Sequence, residues 1–344
     1  MTDQQWDTLL AVLRGASAHP LPTGFIVDSP WLPNWAGHTI LDYFTDDAVY
    51  FDDNIKVHDA FPEALFLPGF WSEYGMCTEP SAFGAVAIWG ENEFPSAAKV
   101  LRSPADIDLL DRPDPRKHGL LPFVIKRLQH LEPRIRGAGH KVRFAVARGP
   151  LNVASFLMGT TEFLTALRTD PEPAHRLLAL VTDFLVDWIA WQRECFPSID
   201  GLLILDDIVG FVGPRDFDTF ALPYLEKTFK LDVTVKFFHN DAPCKTCAPH
   251  LPGIGVNLLN FGVQHTLNDM KSWTRGAVTL VGNIPPRDVL AAGTPDEVTR
   301  WVREMLESVE DRSRLIVSCA GGMPPGVPTS NIDALLDAVE AFES

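Results

Sequence analysis

From about residue 140 onward the chain alternates short apolar runs with longer segments whose apolar residues recur at helical spacing. That pattern belongs to repeated strand–helix units feeding a parallel sheet. KVRFAVARGP reads as a strand that stops at Gly149-Pro150, followed by two helices over LNVASFLMGTTEFLTALRTD and PEPAHRLLALVTDFLVDWIAWQREC. GLLILDDIVGFV is a buried strand ending in Asp206 and Asp207, with a helix over PRDFDTFALPYLEKTF behind it. VTVKFFHND, GVNLLNFG, AVTLVGNIP and RLIVSCAGG continue the series, paired with helices over CKTCAPHL, TLNDMKSWT, TPDEVTRWVREMLESV and TSNIDALLDAVEAF. The first 140 residues are richer in Pro and aromatics, and the remaining strands are expected among GFIVD, ALFLPG and GAVAIWG.

No Gly-rich dinucleotide fingerprint or phosphate loop opens any of these helices, so a doubly wound nucleotide-binding sheet loses its main support. A closed barrel gains by that. No internal repeat or low-complexity linker divides the chain. The expectation is an α/β fold: a single (β/α)8 TIM-type barrel domain over residues 1–344 with an elaborated N-terminal region.

Composition removes several function classes. Hydrophobic residues make up 46% and charged residues 22% of the chain, which leaves ample apolar surface for a core. A formal net charge of −16 with no Lys/Arg run argues against nucleic acid or an anionic membrane as partner. The opening MTDQQWDTLLAVLRG lacks a signal-peptide apolar core, and no long apolar run marks a spanning helix. Five cysteines, odd and sparse, suit reduced thiols in a cytoplasmic enzyme.

In a barrel the chemistry gathers at the C-terminal ends of the strands, so the polar residues that end apolar runs are the candidates. Those are Arg148, Asp206, Asp207, His239, Asn240, Asp241, Asn260, Asn283 and Cys319. Only one of Asp206 and Asp207 can face inward; its carboxylate would orient substrate or handle protons, and the other reading is a helix cap. His239 and Asp241 share a face by period two and could bind one metal or one substrate. Cys319 could complete a zinc site with them, or be a small buried hydrophobe. Asn240, Asn260 and Asn283 are expected to bind substrate. Cys244 and Cys247 form a CxxC, but Pro243 starting a helix would put both thiols on one turn, which favours packing over metal.

Longer motifs give a family. RGPLNVASFLMG resembles the G-P-x-T-L-A-x-x-L-x-G segment of the uroporphyrinogen decarboxylase superfamily, and DDIVGFVGPRDFDTFALPYLEK resembles its following strand and helix. LVGNIPPRDVLAAGTPDEV is similar to its G-N-(I/L)-D-P-x-x-L-L-x-G-T-P-E-E-V, and GGMPPGVPTSNIDAL to its closing G-x-x-P-x-T-P-x-x-N-I. EPSAFG, with Glu79, looks like the E-x-x-A-x-G turn of the methyltransferase branch. The resemblance covers residues 148–344 in order and implies a barrel used for porphyrinogen decarboxylation or for methyl transfer to or from a corrinoid.

Residues separate these branches. True decarboxylases resemble R-Q-A-G-R-Y at their start, where this chain has PTGFIVDSPWLPNW; Gly75 stands where their essential Asp is expected, with Glu73 nearby. The zinc methyltransferase branch carries H-x-C and a late G-C-G-I-x-P; here Asp241 and Gly321 take the cysteine places, with Cys319 two residues earlier, about 6.5 Å along a strand. The resemblance therefore implies a zinc-assisted, demethylase-type methyltransferase. It would move a methyl group from a small donor to a thiol, or to a corrinoid on a partner protein. Its zinc ligands would be His239, Asp241 and Cys319, and its catalytic residues Asp206, Asp207, Glu79 and Arg148. A metal-independent decarboxylase and a non-catalytic binding barrel are the competing expectations, and a homodimer is compatible with each.

Overall fold

A computed structural model describes residues 1–16 and 19–343; residues 17, 18 and 344 of the expected domain lie outside the described residues. Eight parallel strands carry the fold: β1 Gly24–Ile26, β2 Leu65–Leu67, β3 Phe144–Arg148, β4 Gly201–Leu205, β5 Val235–Asn240, β6 Leu258–Phe261, β7 Thr279–Ile284 and β8 Leu315–Cys319. β3 to β8 form one sheet in sequence order, and β1 pairs with β2. Single bridges from Thr23 to Val317 and from Ile26 to Gly322 join β1 to β8. The order is that of a TIM-type barrel; among the described residues β8 and β1 meet only through these two bridges, and the β2–β3 seam has neither ladder nor bridge.

Alternation along each strand sorts the core into two layers. Ile26, Leu67, Phe144, Val146, Leu203, Phe237, Leu258, Val281 and Ile316 fill the barrel interior. Phe25, Phe66, Ala145, Ile204, Phe238, Leu259 and Val317 face outward and pack under the helices. The first helix, Asp3–Leu13, begins with a capping box in which Thr2 and Gln5 satisfy each other's free amides. It lays Trp6, Leu9 and Val12 against the interior cluster and closes the barrel's N-terminal end, with Trp6 edge-on to Phe144 at 5.6 Å. Trp6→Ala is expected to cost about 3–5 kcal/mol, read as a lower midpoint in urea unfolding.

Three local expectations change. GAVAIWG contributes only Ala87–Ile88 to a two-stranded antiparallel ribbon with Ser96–Ala97, outside the barrel. CKTCAPHL forms turns and one short 3-10 segment, Ala248–His250, because prolines at 243, 249 and 252 remove donors that a helix would use. The helix over PRDFDTFALPYLEKTF breaks at Ala221 into Pro214–Phe220 and Leu222–Thr228, with Pro223 opening the second piece. Among the described residues no helix is long and apolar enough to cross a membrane.

Candidate active site

The strand C-termini meet at one mouth, and the same alternation decides which side chains look into it. Ile26 faces inward, so Asp28 does too; Val146 leads to Arg148, Phe237 to His239 and Leu258 to Asn260 on the same faces. After β4 the inward Leu205 leads to Asp207. A surface cleft of about 600 Å³ beside Thr2, Gln5, His58 and His140 contains none of these mouth residues.

Arg148 is the structural hinge of the site. Its guanidinium donates to Glu73 Oε2 at 2.7 Å and Glu79 Oε2 at 3.3 Å, and its backbone N–H donates to Glu79 Oε1 at 3.1 Å. All three side chains are buried. Glu73 and Glu79 follow β2 and Arg148 ends β3, so this clasp spans the seam that no backbone ladder closes. Burial pulls the arginine's pKa down, but the two carboxylates more than reverse that and hold it above its ordinary value. Burial raises the Glu73 carboxyl above its usual range, against the pull of Arg148. Glu73 Oε1 has no hydrogen-bond partner.

His239 is oriented by Asn260. The Asn260 amide nitrogen donates to the Val281 and Cys319 carbonyls, which turns its Oδ1 toward His239 Nδ1 at 2.8 Å. That acceptor makes Nδ1 the protonated nitrogen and leaves Nε2 as the reactive one, 3.7 Å from Asp241 Oδ2. Burial lowers the His239 pKa, but Asp241, Asp207, the Asn260 hydrogen bond and Asp28 outweigh it and raise the value. Asp207 accepts the Asp241 backbone N–H at 2.7 Å and so fixes the loop that presents Asp241. The Asp241 side chain keeps 53% of its surface open; burial and Asp207 raise its pKa, and His239 and Arg287 oppose them. Asp28, also partly buried, is pushed up to about 8 by burial, Glu73 and Asp241, against Arg148 and His239.

Four expected site residues are placed elsewhere. Asp206, one residue out of phase with Asp207, accepts the backbone amides of Leu151 and Asn152 at 2.9 and 3.1 Å. It therefore satisfies the start of the helix Pro150–Met158 rather than a ligand. A side chain at Gly149 would overlap its carboxylate, which explains that glycine. Asn240, out of phase with His239, turns to the helix layer, where its amide reaches the Cys244 and Cys247 thiols at 3.4 and 3.7 Å. Those cysteines are free and buried, as packing predicts. Asn283 donates to the His265 carbonyl at 2.8 Å, which holds it among the loops beyond the barrel. Cys319 shares its face with Val317 in the outer layer, and its thiol points to the Gly321 carbonyl at 3.8 Å.

Known proteins resemble this chain over most of its length. A family model described as uroporphyrinogen decarboxylase (URO-D) matches residues 7–342. The chain belongs to the URO-D family. Among its curated relatives, a uroporphyrinogen decarboxylase of Pseudoalteromonas atlantica is 24% identical over 284 residues, spanning 78% of this chain and 76% of its own. Another from Anaeromyxobacter sp. is 26% identical over 259 residues, 72% of this chain and 71% of its own. A solved methyltransferase from Methanosarcina mazei superposes with a TM-score of 0.80 at 19% identity, covering 98% of both chains, which establishes the shared fold.

The expected zinc trio does not assemble in this URO-D member. His239 and Asp241 adjoin, but the outward phase of β8 takes Cys319 away from them. The Asp241 carboxylate also fills the space a side chain at Gly321 would need, so Asp at 241 and Gly at 321 replace the two cysteine places together. Among the described residues no group of three or more His, Cys, Asp or Glu is arranged to hold a metal. The donor set thus fits a proton-transfer pair better than a zinc cage.

Two mouth residues, Asp28 and Glu73, stand outside the set expected to act. Asp28 ends the apolar run GFIV as Arg148 ends FAVA, so the period-two rule reaches it. Glu73 lies in an irregular segment with no periodicity to follow.

Proposed function

We propose that this URO-D family member is a methyltransferase that moves a methyl group from a small methylated donor to a thiol, with a corrinoid on a partner protein as the alternative acceptor. The observation that carries the reading is the charge of the mouth. A porphyrinogen decarboxylase must hold a polycarboxylate, which calls for unpaired cations. Here Arg148 is taken up by Glu73 and Glu79, and Arg287 lies on the outer side beside Asp241.

His239 supplies the proton handling. Nε2 takes the proton from the acceptor thiol, and Asp241 and Asp207 stabilise the imidazolium. The thiolate attacks the methyl carbon, the bond from carbon to the donor heteroatom breaks, and the electron pair leaves with the heteroatom. The imidazolium then returns its proton to the leaving group, so RSH + CH₃X gives RSCH₃ + HX. Asn260 keeps the ring in the tautomer this requires.

Decarboxylation is the second reading, supported by the names of the curated relatives and by Asp28, whose raised pKa suits a proton donor to a carbanion. The two are separated by product: thioether formed from a methylated donor for methyl transfer, CO₂ released from a porphyrinogen for the alternative. A metal content near one zinc per purified chain, lost with activity on Cys319→Ser, would overturn the metal-free proton route.

A further inference from the structure

We propose that His58 and His140 bind one divalent transition-metal ion, zinc foremost, at the N-terminal ends of the strands, and that the ion pins the β2–β3 seam. The two histidines come from separate elements. His58 lies in the last turn of the helix Asp47–Ala60, which precedes β2, and His140 lies between the helix Leu121–Gly137 and β3. Their rings meet at 4.3 Å between centroids, with planes 54° apart. Two phenylalanines close round the pair. His58 is edge-on to Phe66 of β2 at 5.0 Å and stacked on Phe70 at 6.1 Å, and Phe70 is edge-on to His140 at 5.4 Å. Packing thus fixes both rings before any ligand arrives, which lowers the cost of ordering them on binding.

Packing does not account for their nitrogens. Each residue is only 7% exposed, and Nδ1 of each is buried without a hydrogen-bond partner. Nε2 of each makes no hydrogen bond among the described residues either, yet it is not one of the buried unpaired atoms, so it opens on the cleft of about 600 Å³ that both histidines line. Thr23 before β1 and Leu65 at the start of β2 share that cleft. Proteins seldom leave such atoms unclaimed, and imidazole is the commonest protein ligand of a metal ion. A zinc ion bonded at about 2.0–2.1 Å to one nitrogen of each ring needs the ring centres about 5 Å apart, so the pair stands within about 1 Å of a two-point clamp.

The surroundings favour such an ion. Burial pushes His58 down to about 2 and His140 down to about 4, so both rings are in the neutral form that a metal requires. Asp59 and Glu63 are exposed on the same cleft, and the chain's net charge of −16 adds a field that draws cations. Among the described residues no third His, Cys, Asp or Glu completes a closed set, so the remaining positions fall to water or a small ligand. Paired imidazoles select zinc, nickel or copper over magnesium, which seeks oxygen. Position gives the ion its role. Arg148 clasps the C-terminal end of the seam that has no ladder, and an ion between His58 and His140 joins the segments entering β2 and β3 at the other end.

The test titrates ZnCl₂ and MgCl₂ calorimetrically into the full chain after chelator treatment and desalting. Zinc is expected to bind at least about a hundredfold more tightly than magnesium. His58→Phe and His140→Phe keep the aromatic packing and remove the donors, so each should weaken zinc by at least the roughly 10–100-fold that loss of an outer-shell partner costs. His239→Gln, at the mouth, should leave the zinc affinity unchanged. Should a variant fail to fold, the wild type reports alone: zinc should slow modification of His58 and His140 by diethyl pyrocarbonate and slow amide exchange in β2 and β3. Zinc binding no tighter than magnesium, affinity undiminished in both variants, or protection falling on His239 instead would overturn the site. Amide exchange in β2 and β3 that zinc leaves unchanged would overturn its role at the seam.

Discussion

His239→Gln is expected to lower kcat/KM for methyl transfer by about 10²–10⁴-fold while leaving the unfolding midpoint nearly unchanged. Glutamine can still reach Asn260, whose amide remains tied to the Val281 and Cys319 carbonyls, so the β5–β6–β7 backbone has no reason to shift. What disappears is a group able to take a proton at Nε2 and hold it against Asp241. The wild-type pH profile carries the same signature. His239 must be neutral to accept the thiol proton, and its pKa lies above the ordinary 6.5, so kcat/KM should rise with pH through a value above 6.5. The variant should lose that limb. Asn260→Leu tests the positioning role separately: the ring loses its fixed tautomer, and the rate should fall with little change in KM.

Arg148→Met should produce the largest loss of stability, about 3–5 kcal/mol, because it leaves Glu73 and Glu79 buried without a counter-charge. The sign of the pH effect follows. Burial already raises the Glu73 carboxyl above its unfolded value of about 4.3, and loss of the guanidinium that opposes this raises it further, so Glu73 binds a proton more readily folded than unfolded. The added destabilisation is therefore small below that value and grows as pH rises through the range up to the folded pKa. Denaturant melts at pH 4.5 and pH 8 check this: the gap between variant and wild type should widen at the higher pH. Glu73→Gln combined with Arg148→Met should recover part of the loss, since one uncompensated charge is removed. The loss should also appear as local opening at the seam, since this clasp replaces the ladder missing between β2 and β3.

Much of this was legible in the residues. The strands β3 to β8 and most of their helices follow from period, because a barrel strand buried on both faces reads as an apolar run ended by a polar residue. His239 with Asp241, and Arg148 with Glu79, come from that rule and the family motifs. Being off by one residue accounts for Asp206, Asn240 and Cys319: each lies next to an inward position and faces the helices instead, and an apolar run does not reveal its phase until both layers are seen. Glu73 could not be placed from pattern, since an irregular loop positions it through Arg148. The coupling of Asp241 with Gly321 is equally three-dimensional, as the two share a volume while lying 80 residues apart.

The central claim is that this mouth transfers methyl groups, and one isotope experiment tests it. The protein is incubated anaerobically with a panel of small ¹³C-methylated donors and 2-mercaptoethanol, and in parallel with uroporphyrinogen, and both products are followed. The account predicts ¹³C in an S-methyl thioether with wild type, its near absence with His239→Gln, and no CO₂ from uroporphyrinogen. CO₂ release that depends on Asp28 or Asp207, with no labelled thioether, would contradict it.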